Sequence, residues 1–268
     1  MMNRSSRWNL WNVLGHAKNS LNSTSKELRD LIRKNTNEEE SFVSELFESK
    51  SRYDELCLEF DQKIRTDTIR SALSEYSKLT GSEISGAIDI ETARFYYALV
   101  REMKPEVVIE TGVCNGVSSL VLLMALKHNG TGSLISVDFP YYADESLAQF
   151  RSETFDEYGG AAIPADKEPG WIVPETLRER WDLRIGKSQR ILPEIVTNEG
   201  DFQLFIHDSE HSHPCMMYEY EMAHEWIDPG GIIMSDDINW NSAFEVFVES
   251  RELDHGIVCD GLGYAIPN

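Results

Sequence analysis

The residues with the clearest chemical reading are Glu110-Thr111-Gly112-Val113-Cys114-Asn115-Gly116, which follow the apolar run Val107-Val108-Ile109. Glycine admits positive φ and leaves no Cβ in a ligand's way, so this turn reads as half of a nucleotide-cofactor site within residues 106–140. The dinucleotide fingerprint G-x-G-x-x-G is absent, because position 114 is Cys. With Gly112 and Gly116 alone, the turn suits a nucleoside-type ligand better than a pyrophosphate. Ser118 and Ser119 are placed to cap the next helix with their hydroxyls. Asp138, about 22 residues beyond Gly116, ends the following apolar run, where a carboxylate can accept both hydrogen bonds of a ribose diol. For the turn alone, a plain tight turn in an α/β protein is the lesser alternative, and Asp138 weakens it further. Gly186-Lys187-Ser188 ends a further run, and Ser188 there would border an adenine.

A second constellation is acidic. Asp208 follows Phe202-Gln203-Leu204-Phe205-Ile206 and His207, and Asp236-Asp237 follow Ile232-Ile233-Met234-Ser235. Three carboxylates at neighbouring strand ends would repel one another and raise at least one pKa. A hard divalent cation such as Mg²⁺ removes that penalty and takes oxygen ligands. The plain alternative is that these aspartates cap helices or bond backbone amides. His211 falls in a loop at the same rim, where an imidazole could take a proton from a substrate hydroxyl, against a purely structural role. Glu210 is a lesser candidate, His207 reads as a hydrogen-bonded structural histidine, and His213 as exposed loop. Asn239 and Asn241 either bond ligand oxygens or shape the loop.

These residues need strand ends to hold them. Apolar residues from Glu39 to Lys78 recur at three- and four-residue steps, which predicts amphipathic helices. Asp89 opens a helix that runs to Met103, where Pro105 stops it. From there short apolar runs alternate with helical patterns: strands at Val107–Ile109, Leu134–Val137, Leu183–Ile185, Phe202–Ile206 and Ile232–Ser235, with helices at Val117–Lys127 and Pro214–Trp226. That rhythm means a parallel sheet with helices on both faces, wound right-handed. Two short strands follow around Asp260-Gly261. Ligands of such sheets sit outside the strands' carboxyl ends, where each motif falls. Residues 139–181 form a long connection with aromatics, Gly159-Gly160, Pro164 and Gly170-Trp171-Ile172-Val173-Pro174; it reads equally as a lid over an acceptor pocket or as a surface insertion.

The 268 residues are 41% hydrophobic and 26% charged, ordinary for a globular chain, whereas the net charge of −21 is not. No basic stripe exists to neutralise phosphates, which argues against nucleic acid and against an anionic membrane as partner. Cys57, Cys114, Cys215 and Cys259 are far apart, as expected of reduced thiols in a cytoplasmic protein. Residues 1–19 lack the apolar core of a signal peptide, and no stretch approaches a membrane span.

The chain resembles the class I S-adenosylmethionine-dependent methyltransferases, closest to their small-molecule, metal-dependent O-methyltransferase branch. The resemblance rests on Val107 to Gly112 with Gly116-Val117-Ser118-Ser119, on Ser136-Val137-Asp138, on Phe205 to Ser212, and on Pro229 to Asp237; it covers roughly Ile88 to the C-terminus. It implies a Rossmann-like, seven-stranded, mostly parallel sheet with an antiparallel last strand, spanning residues 86–268 behind a helical extension over residues 1–85. It also implies S-adenosylmethionine held by Glu110, Gly112, Gly116, Ser118, Asp138, Ser188 and Asp208. Asp208, Asp236 and Asp237 would hold the metal, and His211 with Asp208 would serve catalysis on a hydroxyl, or an amine, of a small molecule. An NAD-dependent oxidoreductase and a non-catalytic cofactor-binding protein of the same fold are the alternatives; a homo-oligomer is left open.

Overall fold

A computed structural model describes residues 42–80, 87–144, 146, 150, 162–259 and 261–267. Asn35 to Glu40, Gly159-Gly160 and Asp260 lie outside the described residues. After a helical turn over 42–46 come α1 (Lys50–Lys63), α2 (Asp67–Thr80) and α3 (Ile90–Met103). The expected alternation follows: β1 (Val107–Thr111), α4 (Val117–Asn129), β2 (Ser133–Asp138), the short pair β3 (Tyr141–Tyr142) and β4 (Ala162–Ile163), a 3₁₀ helix (Glu175–Arg180), then β5 (Trp181–Ile185) and α5 (Ser188–Glu199). The chain continues through β6 (Phe202–His207), α6 (His213–Trp226), β7 (Ile227–Ser235), α7 (Ala243–Ser250), β8 (Asp254–Cys259) and β9 (Leu262–Ile266).

Local chemistry sets the ends. Asp89 Oδ1 accepts from the Thr92 amide at 2.7 Å, which opens α3. Lys104, left-handed at φ 50°, and Pro105 close it. Beyond their first residues β1 and β2 are buried throughout, because helices cover both faces.

Seven strands form one sheet in the order β5-β2-β1-β6-β7-β9-β8. The first five are mutually parallel, and β9 enters antiparallel between β7 and β8, giving the Rossmann-like sheet with an antiparallel last strand. In register Thr111 lies beside Val137 and His207, and His207 beside Ser235. The residues that follow, Gly112, Asp138, Asp208 and Asp236, therefore share one rim. Chain order reverses across β1, whose neighbours are β2 and β6, which is where such sheets bind ligands.

One face of the sheet is covered by α3 and α4, and their core is continuous with Leu56, Phe60, Leu73 and Tyr76 of α1 and α2. Polar ties reinforce that seam. The Arg94 guanidinium donates to both Asp61 oxygens at 2.9 and 3.0 Å, and Glu59 Oε1 accepts from Tyr97 and Arg101, each at 2.7 Å. The other face carries α5, α6 and α7 over Ile109, Phe205, Tyr220 and Phe247. Among the described residues no helix is long and apolar enough to cross a membrane.

Candidate active site

The glycine turn is left-handed at three positions: Gly112 at φ 88°, Cys114 at 48° and Gly116 at 94°. A Cβ on Gly112 would lie 1.9 Å from the Asp208 carbonyl oxygen, and one on Gly116 2.6 Å from Gly170 Cα. The expectation that these glycines clear room for a ligand is therefore corrected: protein backbone fills the room they leave. Ser118 and Ser119 also differ from expectation. Helix α4 starts without a side-chain cap, and both hydroxyls donate to Glu110, at 2.5 and 2.6 Å, with Ser136 adding a third bond at 2.7 Å. Glu110 is fully buried; burial pushes its carboxyl above the usual range and the three hydroxyls pull against that. It ties β1, β2 and the start of α4 together beneath the turn.

Asp138 closes β2 against the same turn. Its Oδ1 accepts from the Val113 and Cys114 amides at 2.8 and 3.3 Å. Its Oδ2 is buried without a hydrogen-bond partner among the described residues. Burial raises the carboxyl's pKa and the two amides lower it. The turn thus occupies one of the two carboxylate oxygens. The far side of the turn is closed by the long connection: the Gly170 amide donates to Cys114 O at 2.8 Å, and Trp171 Nε1 to Asn115 Oδ1 at 2.7 Å. Arg178 holds that segment by donating to Gly170 O and Val173 O at 2.9 and 3.0 Å. Asn115, buried at the centre of this lacing, was not singled out by its sequence context.

At the acidic rim the sheet ladder continues one residue past the strands, with Asp208 N bonding Thr111 O and Asp236 N bonding His207 O, each at 2.9 Å. His211 Nε2 stands 3.7 Å from Asp208 Oδ1 and 3.9 Å from Asp237 Oδ2, with its ring 5.7 Å from that of Trp240. Asn241 shapes the loop: it donates to His211 O at 2.9 Å and accepts from Ala243 N at 2.8 Å. His213 opens α6 rather than lying in a loop. Among the described residues no three His, Cys, Asp or Glu side chains gather into a set that could hold a metal ion. Asp208, Asp236 and Asp237 line one rim, as expected, but do not close into a ligand set. Asp237 is turned by a left-handed φ of 51°, and His211 stands between it and Asp208.

Behind the rim lies a polar cluster that the sequence reading did not isolate. Glu219 of α6, fully buried, accepts from Thr111 Oγ1 at 2.6 Å and Ser209 Oγ at 2.8 Å, and pairs with His207 Nδ1 at 2.6 Å. His207 is thus the hydrogen-bonded structural histidine expected. Ser188 is placed towards this cluster, its hydroxyl 3.9 Å from Cys215 Sγ.

Residues 109–238 match the family described as Methyltransferase domain. No curated protein matches the chain in sequence. Among solved structures, the O-methyltransferase TomG from Streptomyces achromogenes, solved with S-adenosylmethionine, is 13% identical with a TM-score of 0.50, over 76% of this chain and 91% of its own. A methyltransferase from Geobacter sulfurreducens is 14% identical with a TM-score of 0.50, over 75% and 89%. Identity this low speaks to shared fold, whereas the domain match covers the turn, Asp138 and the acidic rim together. Residues 109–238 of the chain are thus a methyltransferase domain, carried on the Rossmann-like fold that these structures share.

Proposed function

We propose that the chain moves a methyl group from S-adenosylmethionine to a hydroxyl oxygen of a small molecule. The observation that carries this reading is Asp138, a buried carboxylate at the switch point of the sheet with one oxygen locked to the glycine turn and the other without a hydrogen-bond partner among the described residues. When bound, the cofactor supplies a methyl carbon made electrophilic by its sulfonium. Asp138 Oδ2 accepts from a ribose hydroxyl, and the Val113 and Cys114 amides fix its direction. His211 takes the acceptor's proton onto its imidazole, and the carboxylates of Asp208 and Asp237 flank the cation that forms. Oxygen is favoured over an amine because the similar TomG is named an O-methyltransferase. A small acceptor is favoured because a chain of net charge −21 repels polyanions. The oxidoreductase alternative has no support, since the turn lacks the middle glycine and the matched domain is a methyltransferase. Among the described residues Asp208, Asp236 and Asp237 do not gather into a metal-holding set, so no step is routed through a metal.

Calorimetry with S-adenosylhomocysteine and NADH tests the reading. The homocysteine product binds and NADH does not; Asp138→Ala weakens that binding about 10- to 100-fold, the scale of lost hydrogen bonds to a charged group. His211→Gln keeps the binding but lowers methyl transfer about 10²- to 10⁴-fold. Tight NADH binding, or undiminished affinity in Asp138→Ala, overturns the assignment. Binding without transfer to any hydroxylated acceptor supports the non-catalytic alternative. A gain in binding with Mg²⁺ that Asp237→Ala removes would restore the metal.

A further inference from the structure

Cys114 stands in the glycine turn with a backbone that does not suit its type. The Gly116 amide donates to Val113 O at 2.8 Å and closes a four-residue turn with Cys114 and Asn115 at its centre. Cys114, at the first central position, is left-handed at φ 48°. Glycine is favoured there, and a Cβ carries a penalty worth about tenfold in population. A left-handed cysteine persists only where its neighbours hold it.

Asn115 is placed to do so. It is 1% exposed, and both polar atoms of its side chain are engaged. Trp171 Nε1 donates to its Oδ1 at 2.7 Å; an indole N–H can only donate, so it fixes the amide oxygen toward Trp171. The amide nitrogen then donates to Cys114 Sγ at 3.1 Å and to Ala162 O at 3.5 Å. The Gly170 amide holds Cys114 O at 2.8 Å, so side chain and carbonyl are both fastened. Trp171 is itself backed by α2. Its ring lies 6.1 Å from that of Tyr76, and Lys167, 4.8 Å from the same ring, pairs with Glu75 at 3.0 Å. What this bracing holds in place is the Cys114 amide, which with that of Val113 donates to Asp138 Oδ1 at 3.3 and 2.8 Å. A Cys114 relaxed to a right-handed backbone would tilt the peptide units beside it and loosen that carboxylate.

We infer that Asn115 is a positioning residue for the ribose of the methyl donor: it keeps Cys114 left-handed, and the amides of Val113 and Cys114 then aim Asp138 at the ribose hydroxyls. This inference rests on the methyl-donor reading and adds to it a residue that acts through two others. It makes a specific demand, that Asn115 matters to binding only while residue 114 resists its own conformation. Glycine takes a left-handed φ without steric penalty, so glycine at 114 makes Asn115 dispensable for the donor. The Trp171 N–H left unpaired by loss of Asn115 lowers stability whatever stands at 114. Binding and stability therefore part, which a merely structural role for Asn115 would not produce.

The test is calorimetry and thermal unfolding on the full chain, with S-adenosylhomocysteine and its 2′,3′-dideoxy analogue as probes. Asn115→Ala is expected to weaken S-adenosylhomocysteine about tenfold in the parent chain and about twofold or less in a Cys114→Gly chain, while the melting temperature falls in both. The dideoxy analogue, with no ribose hydroxyl to offer Asp138, should bind the parent and Asn115→Ala alike. Cys114→Ala removes the sulfur but leaves the indole partnered, so it keeps the inference testable should Asn115→Ala not fold. It should bind S-adenosylhomocysteine more weakly than both the parent and Cys114→Gly. Equal weakening by Asn115→Ala in the two backgrounds overturns the inference, as does undiminished affinity in the parent background or a Cys114→Ala chain that binds like the parent. A loss that persists with the dideoxy analogue shows that Asn115 does not act through Asp138, and overturns it too. If the parent chain binds neither probe, the methyl-donor reading itself has failed, an outcome distinct from failure at Asn115 alone.

Discussion

Glu219 shows how one residue holds the rim in place. Its carboxylate joins the end of β1 through Thr111, the end of β6 through His207, and the following loop through Ser209, all from α6. Burial pushes its pKa up, but the His207 imidazole and the surrounding donors outweigh burial and hold it below the usual glutamate range. A lowered folded pKa means the carboxylate's contribution to stability is present above the ordinary value and is lost as pH falls through the folded one. Glu219→Gln should therefore destabilise the protein by about 2 kcal/mol at neutral pH, in line with hydrogen bonds to a charged group. The gap between parent and variant should narrow as the solution is acidified below the ordinary glutamate pKa. Urea titrations from pH 7 to pH 3 check this, and a gap that widens on acidification would refute the assignment. Asp138, Asp208, Asp236 and His211 were legible in sequence because each is a polar residue just past an apolar run. Glu219 was not, because Glu221 and Glu225 beside it make the helix read as a charged surface. Its signal was spacing: it lies four residues from both Cys215 and Ala223, which are buried on the same face.

At the scale of elements, the glycine turn is held by close approach of three chain segments. Gly116→Ala places a Cβ 2.6 Å from Gly170 Cα and 3.2 Å from Val173 Cγ2, in a left-handed conformation. Gly130, at the far end of the same helix, is also left-handed at φ 76°, but an added Cβ there meets nothing within 4 Å. The pair separates backbone strain from steric conflict. Gly130→Ala should cost about 1–2 kcal/mol, the left-handed penalty alone, and Gly116→Ala at least about 2 kcal/mol more, the scale of overpacking. Thermal unfolding of the two variants measures the difference; equal losses would mean that the segment around Gly170 does not press on the turn. The strands of this site were readable because buried parallel strands are unbroken apolar runs. Helix α5 was not, because Pro193 sits inside it and removes a helical hydrogen bond. The direction of the aspartates was also hidden. Spacing puts Asp236 and Asp237 at one strand end, but only the left-handed backbone at Asp237 decides where that second carboxylate goes.

Across the whole molecule, the division between a helical extension and a sheet domain is visible in sequence texture but not in the core. The sequence changes character at Pro105, yet Leu56, Phe60, Leu73 and Tyr76 pack in one apolar cluster with Phe95, Leu122, Leu134 and Leu204. Ties such as Arg94 to Asp61 and Arg101 to Glu59 cross the same seam, and Tyr264 of β9 reaches back to Glu45 with a 2.5 Å bond. Pairs of this partly exposed kind contribute little singly; the apolar seam carries the coupling, and it cannot be inferred from helical periodicity, which shows that a face is apolar but not what it meets. Phe60 tests that coupling. It is fully buried, with its ring 5.5 Å from that of Tyr97 on α3. Phe60→Ala should cost about 3–5 kcal/mol. Because α3 shares its core with α4 and the sheet that carries the rim, that loss should shift one cooperative transition in calorimetry while S-adenosylhomocysteine binding and global stability fall together. If instead an early transition split off and left cofactor binding and the main transition unchanged, α1 and α2 would be an independent appendage, and the shared core would have no thermodynamic meaning.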